Sequence, residues 1–345
     1  MVPLNADSSR LRYRALIGTG GIGTGTFFAL NDNRTLGREE SRGGRFLDRR
    51  DYCKLHIIAH YVRKLMGDPF AVLPIGKVGE DDHGARLLAE MDEAGLDLRY
   101  VRVVPEHTLY CVCFVYPDGT GGNLTVDDSA SSKVDPPFVR RAEKDLAACA
   151  GEGIALAVPE VPVKARAELL KLATEHRLLR AASFTSEEIH QARTSGLLAC
   201  VDLLAINIDE AAVLADIPAE QDPAAIVQQT VEILRQLQPD IQTSITAGAH
   251  GSWVWDGAEL THAPVHDVES VSTAGAGDAH FSGILAGLAS GLTLRQAHEL
   301  GVLTAALSVT SPHTINKEID PQSLGALANR LEIHLCPEVR QLIGA

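Results

Sequence analysis

The stretch VSTAGAGDAHFSGILAGL, residues 271–288, sets three small residues, Gly275, Ala276 and Gly277, directly before an acid, Asp278. The run that follows, AHFSGILAGLASG, has the apolar spacing of a buried helix. A Gly-Ala-Gly turn at a helix start exposes backbone N–H groups without side chains in the way, and the helix dipole adds positive potential there. Such a turn suits a phosphate. Asp278 then has two readings. It accepts a proton from a hydroxyl attacking that phosphate, general-base work contributing about 10²–10⁴-fold, or it caps the helix while the glycines permit tight packing. The stretch alone leaves both open.

The rest of the chain bounds the choice. Its 345 residues suffice for one large α/β domain with a sizeable core. Hydrophobic residues make up 45% and charged residues 22%, the balance of an ordinary globular protein. A formal net charge of −14 argues against nucleic acid or an acidic membrane surface as partner, because phosphate backbones call for a large basic patch. An enzyme of small molecules fits better. The opening MVPLNADSSR lacks the charged and apolar regions of a secretory signal, and no run reaches the roughly 18 apolar residues of a membrane span. A cytoplasmic location is therefore expected. Cys53, Cys111, Cys113, Cys149, Cys200 and Cys336 form no CxxC pair, as expected for reduced thiols serving as packing residues.

Short apolar runs alternate with longer helical patterns, the signature of parallel strands joined by crossover helices. Strands are expected at 14–18, 70–76, 153–159, 178–184, 201–207 and 241–246, and helices at 82–95, 163–176 and 222–237. The last 70 residues read as mostly helical. Residues 24–50 and 101–126 break this rhythm; both read as antiparallel strands outside the main sheet, a small flap over one end of it. GTGGIG (18–23) fits the dinucleotide-binding GxGxxG, but the following TGTFFALNDNRTLG lacks the helix that this motif needs.

Taken in order, several motifs make the chain resemble the ribokinase-like, or PfkB, carbohydrate and nucleoside kinases. TAGAGDAHFSG is similar to the family's C-terminal signature, GKVGEDDHG (76–84) to its Gly-x-Val-Gly-x-Asp-x-x-Gly segment, NIDE (207–210) to its Asn-x-x-Glu, and TAGAHG (246–251) to its Thr-x-Gly-x-x-Gly. The resemblance runs over roughly residues 14–312. It implies a three-layer α/β/α sandwich with a mostly parallel sheet and a β-stranded lid, a single domain over residues 1–345. It also implies ATP as donor, Asp278 as general base, and the N–H groups of Ala276, Gly277 and Asp278 as an anion hole. By the same resemblance Asn207, Thr246, Gly248 and Gly251 line the nucleotide. Asn207 and Glu210 organise Mg²⁺, largely through water, which suits an ion that takes few protein carboxylates. Their offset is equally that of a capping box. Gly248 and Gly251 are equally turn glycines.

The acceptor end departs from the family. Gly23 stands near the place of a sugar-binding aspartate, and RRDYCKLHIIAHYVRKLMG (49–67) occupies the place of a Gly-Gly-x-x-x-Asn element. Asn123 and Glu160 are the remaining substrate candidates, Glu160 reading equally as a surface-loop acid. Ser272 replaces an aspartate near a monovalent-cation site, which leaves K⁺ open, and Val302 replaces an asparagine beside the adenine. The flap arginines, Arg34, Arg38, Arg42, Arg45, Arg49 and Arg50, either meet an anionic acceptor or are balanced by Glu39, Glu40, Asp48 and Asp51, the second being preferred. His56 and His60, four apart, read as a helix face without a third metal ligand. The expected activity is transfer of the γ-phosphate of ATP to a hydroxyl of a sugar or sugar derivative. A nucleoside (adenosine-type) kinase and a non-catalytic binding protein are the alternatives. The exposed edges of the lid suggest a homodimer.

Overall fold

The alternation of apolar runs and amphipathic helices builds, in the computed structural model, a nine-stranded sheet and a separate four-stranded one. The structure describes Leu4 and residues 11–345; the rest of the opening ten residues, read above for a leader, lies outside the described residues. Strand β1 (Ala15–Thr19) leads into the hairpin β2 (Gly23–Leu30) and β3 (Gly44–Tyr52), then α1 (Lys54–Met66) and β4 (Ala71–Gly79). Next come α2 (Asp82–Glu93), β5 (Val101–Val104), β6 (Leu109–Val115), β7 (Gly121–Thr125) and the short helices α3 (Pro136–Val139) and α4 (Glu143–Ala148). Strands and helices then alternate through β8 (Gly153–Ala157), α5 (Val163–Glu175), β9 (Leu179–Ala182), α6 (Ser186–Thr194), β10 (Leu203–Asn207), α7 (Ile208–Ala215), α8 (Pro223–Leu237) and β11 (Gln242–Thr246). The hairpin β12 (Ser252–Trp255) and β13 (Leu260–Ala263) precedes four helices, α9 (Ala276–Ala289), α10 (Leu294–Ser308), α11 (Pro321–Arg330) and α12 (Pro337–Ile343).

The large sheet runs β13-β12-β11-β10-β9-β8-β1-β4-β5. Its pairs are parallel except β11–β12 and β12–β13. From β1 the chain walks outward to β5, and from β8 it walks the other way. The order therefore reverses between β1 and β8, and open α/β sheets bind ligands outside the carboxyl ends of their strands at such a point.

Burial on both faces explains why the strands read as continuous apolar runs. Leu16 joins Leu55 of α1, Ile284 of α9 and Leu303 of α10 on one face. Its neighbour Ile17 points the other way and joins Leu169 and Ala173 of α5. Each such side chain stabilises the fold by about 1.5–3 kcal/mol. The seam between α9 and α10 is the closest in the helical layer, for a Cβ added at Gly283 would stand 2.7 Å from Gly301 Cα and from Leu300 O. Among the described residues no helix is long and apolar enough to cross a membrane.

The four-stranded lid runs β3-β2-β6-β7, and it corrects the sequence expectation twice. Val101–Val104 belongs to the main sheet, pairing in parallel with β4 (Gly76 with Val101), because the chain returns from α2 directly to that open edge. Strand β2 also pairs in parallel with β6 (Gly23 with Leu109), whereas β2–β3 and β6–β7 are antiparallel hairpins as expected. The parallel pair arises because both hairpins set out from the same end of the main sheet.

Gly283→Val is expected to wedge α9 from α10 and lower the unfolding free energy by about 3 kcal/mol, the upper end of ordinary overpacking costs. A lower urea midpoint at unchanged m-value would show it.

Candidate active site

Helix α9 opens on Gly275, its N-cap, at φ +80°, a left-handed conformation that suits glycine and supplies no capping side chain. The orphan donors of the first turn therefore stay available. The Ala276 N–H donates to Thr273 O at 3.2 Å, while among the described residues the N–H groups of Gly277 and Asp278 have no backbone acceptor. A Cβ added at Gly277 would meet only Thr246 Oγ1, at 3.5 Å. Two of the three expected donors are thus without a backbone acceptor among the described residues, and the third is turned to its own loop.

Asp278 opens onto a cavity of about 190 Å³ that it shares with Lys54, Asn207, Glu210, Gly275 and Gly277. Its Oδ1 lies 3.3 Å from Lys54 Nζ, with side chains 15% and 30% exposed respectively. The pair is recessed yet reachable. Burial raises the Asp278 pKa, and the Lys54 ammonium pulls it back. Asp278 in turn raises the pKa of Lys54, with Glu210 and Glu160 adding to it against burial.

Lys54 is the residue that the sequence motifs missed. It is the first residue of α1, whose first turn holds no acid. A cation there opposes the helix dipole, so lysine straight after a strand and at the start of an apolar helix was the available signal.

Glu160 lies beyond the end of β8, beside the switch point, with φ +74°. For a non-glycine residue that conformation costs about 1–3 kcal/mol and concentrates at functional sites. Its Oε2 accepts from the Lys54 N–H at 3.2 Å. Gly21 makes room for it, since a Cβ there would stand 2.5 Å from the same oxygen. Burial raises the Glu160 pKa to about 7, against the pull of Lys54. It is therefore a recessed group rather than a surface-loop acid, and GTGGIG is the turn from β1 into the lid that accommodates it.

The NIDE motif forms its capping box in full: Asn207 Oδ1 accepts from Glu210 N, and Glu210 Oε2 accepts from Asn207 N, both at 2.8 Å. Glu210 is buried, which raises its pKa. The same two residues line the cavity that Asp278 opens onto. Thr246, at the end of β11, lines the cavity too. Gly248 and Gly251, at φ +53° and +85°, shape the next turn and are not part of that lining.

The substrate candidates separate. Gly23 is buried, and a Cβ there would stand 2.5 Å from Leu109 O and 2.8 Å from Cys53 Sγ. Asn123 is exposed on β7, opposite Cys113 in register, and accepts from Thr125 Oγ1 at 3.3 Å. Neither lines the Asp278 cavity. Of the lid arginines, Arg34 and Arg42 pair with the expected Glu40 and also with Asp32, and Arg50 pairs with Glu90. Asp51 instead accepts from the thiols of Cys111 (3.0 Å) and Cys113 (3.3 Å), so these two cysteines hold a carboxylate as well as packing. His56 and His60 are buried on α1 and stack edge-on with Tyr52 and Tyr61, a helix face as expected.

The sequence profile described as pfkB family carbohydrate kinase matches residues 58–321. The chain belongs to the PfkB family. Its similarity to the fructoselysine 6-kinase of Shigella flexneri is 38% identity over 65 residues, 19% of this chain and 25% of that protein. The match thus spans about a quarter of that relative's length. The ATP-dependent ribose-1-phosphate kinase of Halopiger xanaduensis is 29% identical over 249 residues, 67% of this chain and 73% of that one. Among solved structures, the ribokinase from Giardia lamblia superposes with a TM-score of 0.79 at 18% identity, covering 91% of this chain and 99% of that one. At that identity the likeness shows the fold.

Glu160 holds its proton more tightly folded than unfolded, so its contribution to stability is complete below 4.5 and is lost as pH rises through about 7. Glu160→Gln keeps an acceptor for the Lys54 N–H and removes the recessed charge. Its melting temperature relative to the unmodified chain should rise from about pH 5 to about pH 8, as followed by differential scanning fluorimetry; a flat difference would refute the assignment.

Proposed function

We propose that this PfkB-family chain is an ATP-dependent kinase that transfers the γ-phosphate to a hydroxyl of a sugar or sugar derivative, with Asp278 as general base and the turn 275–278 as anion hole. The observation that carries this reading is the meeting of Asp278 with the unpartnered Gly277 and Asp278 N–H groups at one cavity. A cavity of about 190 Å³ is smaller than the roughly 300–1,000 Å³ of a complete ligand pocket. That size suits the reacting ends of two larger ligands. The two kinase relatives, named for fructoselysine and ribose 1-phosphate, support a sugar derivative as acceptor.

Phosphoryl transfer asks mainly for positioning and for charge stabilisation at the moving group. Asp278 takes the proton of the attacking hydroxyl. The free N–H groups and the dipole of α9 meet the charge on the phosphoryl oxygens. Asn207 and Glu210 fit Mg²⁺: the capping bond engages only Oε2 of Glu210, and one carboxylate plus an amide suits an ion that keeps several waters. Magnesium held there would supply positive charge to neutralise the phosphates. Closure of the lid over the acceptor excludes water that would otherwise hydrolyse ATP. Phe46 and Leu124, 69% and 65% exposed on the lid, are the surface that a lid-to-lid homodimer would cover.

Asp278→Asn is expected to bind ATP with unchanged affinity by calorimetry and to lose about 10²–10⁴-fold in turnover. The acceptor comes from ADP release across sugars, sugar acids, sugar phosphates and nucleosides. Near-normal turnover in the variant would remove the base assignment. Thermal shifts across the panel without ADP release would favour a binding protein.

A further inference from the structure

We propose that Lys54 is the positioning residue of this kinase's general base: its ammonium holds the Asp278 carboxylate in the aim that proton abstraction requires. The inference rests on the assignment of Asp278 as base.

Lys54 lies in the part of the chain that departs from the family. The profile match begins at residue 58, and the segment 49–67, which contains Lys54, takes the place of the Gly-Gly-x-x-x-Asn element. The placement is electrostatically adverse for the helix itself. As the first residue of α1, with no acid in the first turn, the ammonium opposes the dipole. What offsets it comes from elsewhere in the fold: Asp278 at 3.3 Å from α9, with Glu160 after β8 and Glu210 of α7 as further charges that favour the ammonium.

Both ends of the residue are held. The backbone N–H donates to Glu160 Oε2 at 3.2 Å and Nζ reaches Asp278 Oδ1 at 3.3 Å, so the stem spans two fixed carboxylates. The preceding Cys53 is buried, and its thiol leaves no room for a side chain at Gly23. A lysine pinned in this way does little for α1. What it does for Asp278 is specific. It binds one carboxylate oxygen, leaving the other for the substrate hydroxyl, and it favours the ionised form that a base needs in a recessed site.

The test compares Lys54→Met, Lys54→Arg, Asp278→Asn and the Lys54→Met/Asp278→Asn double variant in the full chain, using the acceptor with the highest turnover in the panel above. Lys54→Met should lower kcat about 10²-fold while KM for ATP and for the acceptor stays within about threefold. Lys54→Arg should recover at least about a tenth of the lost turnover. In the Asp278→Asn background the lysine change should add nothing, because a residue acting through Asp278 has no base left to position. If Lys54→Met fails to fold by circular dichroism, Lys54→Gln takes its place with the same expectations. A kcat within about threefold of the unmodified chain, a loss confined to KM, or an equal loss with and without Asp278 would each overturn the proposal. A near-normal Asp278→Asn would remove the base assignment instead, so the two failures are told apart.

Discussion

The open first turn of α9 is the constraint from which the rest follows. A helix usually satisfies its leading N–H groups with its own N-cap side chain, but here the N-cap is Gly275 and two donors are left to face a cavity. Such a terminus needs its position fixed by other parts of the chain. Along its length the fixing is done by contact with α10, where Gly283 and Gly301 bring two backbones too close for any larger residue. These glycines are therefore part of what holds the first turn of α9 at the edge of the sheet.

Charge at this edge is arranged partly against local preference. Asp278, Glu160 and Glu210 are recessed acids whose pKa values burial raises, and the single ammonium among them stands at a helix start that disfavours it. Lys54 opposes the dipole of α1 and Glu160 holds a left-handed backbone, whereas Asp278 and Glu210 stand in the first turns of α9 and α7, where an acid is favoured. Together they surround one ammonium with three carboxylates. Local rules broken in company mark a functional edge more reliably than any one of these residues does.

The elements legible in the sequence were those whose cause is local. Strands buried on two faces announced themselves as apolar runs, and all six lie within the expected stretches to within a few residues. The turn before α9 was legible because glycines, acid and helix are contiguous. Strand pairing in the lid was not, since the parallel contact of β2 with β6 joins hairpins separated by two helices and two strands. Val101–Val104 is too short to show which sheet it joins. Lys54 escaped because its partner is 224 residues away and no pattern in either segment names the other. Glu160 was half legible: an acid at a strand end could be seen, whereas its left-handed backbone and the gap left by Gly21 belong to the folded chain.

One loop ties together the elements that bring Lys54 and Asp278 into contact. Thr314 receives the Tyr52 N–H on its hydroxyl at 3.0 Å, at the last residue of β3, and its carbonyl accepts from the Tyr61 hydroxyl of α1 at 3.3 Å. Its own N–H donates to Arg50 O at 3.1 Å. On its other side the same residue presses on Gly275, where a Cβ would come within 2.9 Å of its carbonyl oxygen. The strand that delivers Lys54, the helix that carries it, and the cap that begins the Asp278 helix therefore share one anchor. Because β3 is also a strand of the lid, a displacement of that hairpin must either break the hydrogen bonds at Thr314 or carry the lysine with it. The lid strand β3, helix α1 and the cap of α9 are thus tied together by a few hydrogen bonds and one close contact around a single threonine.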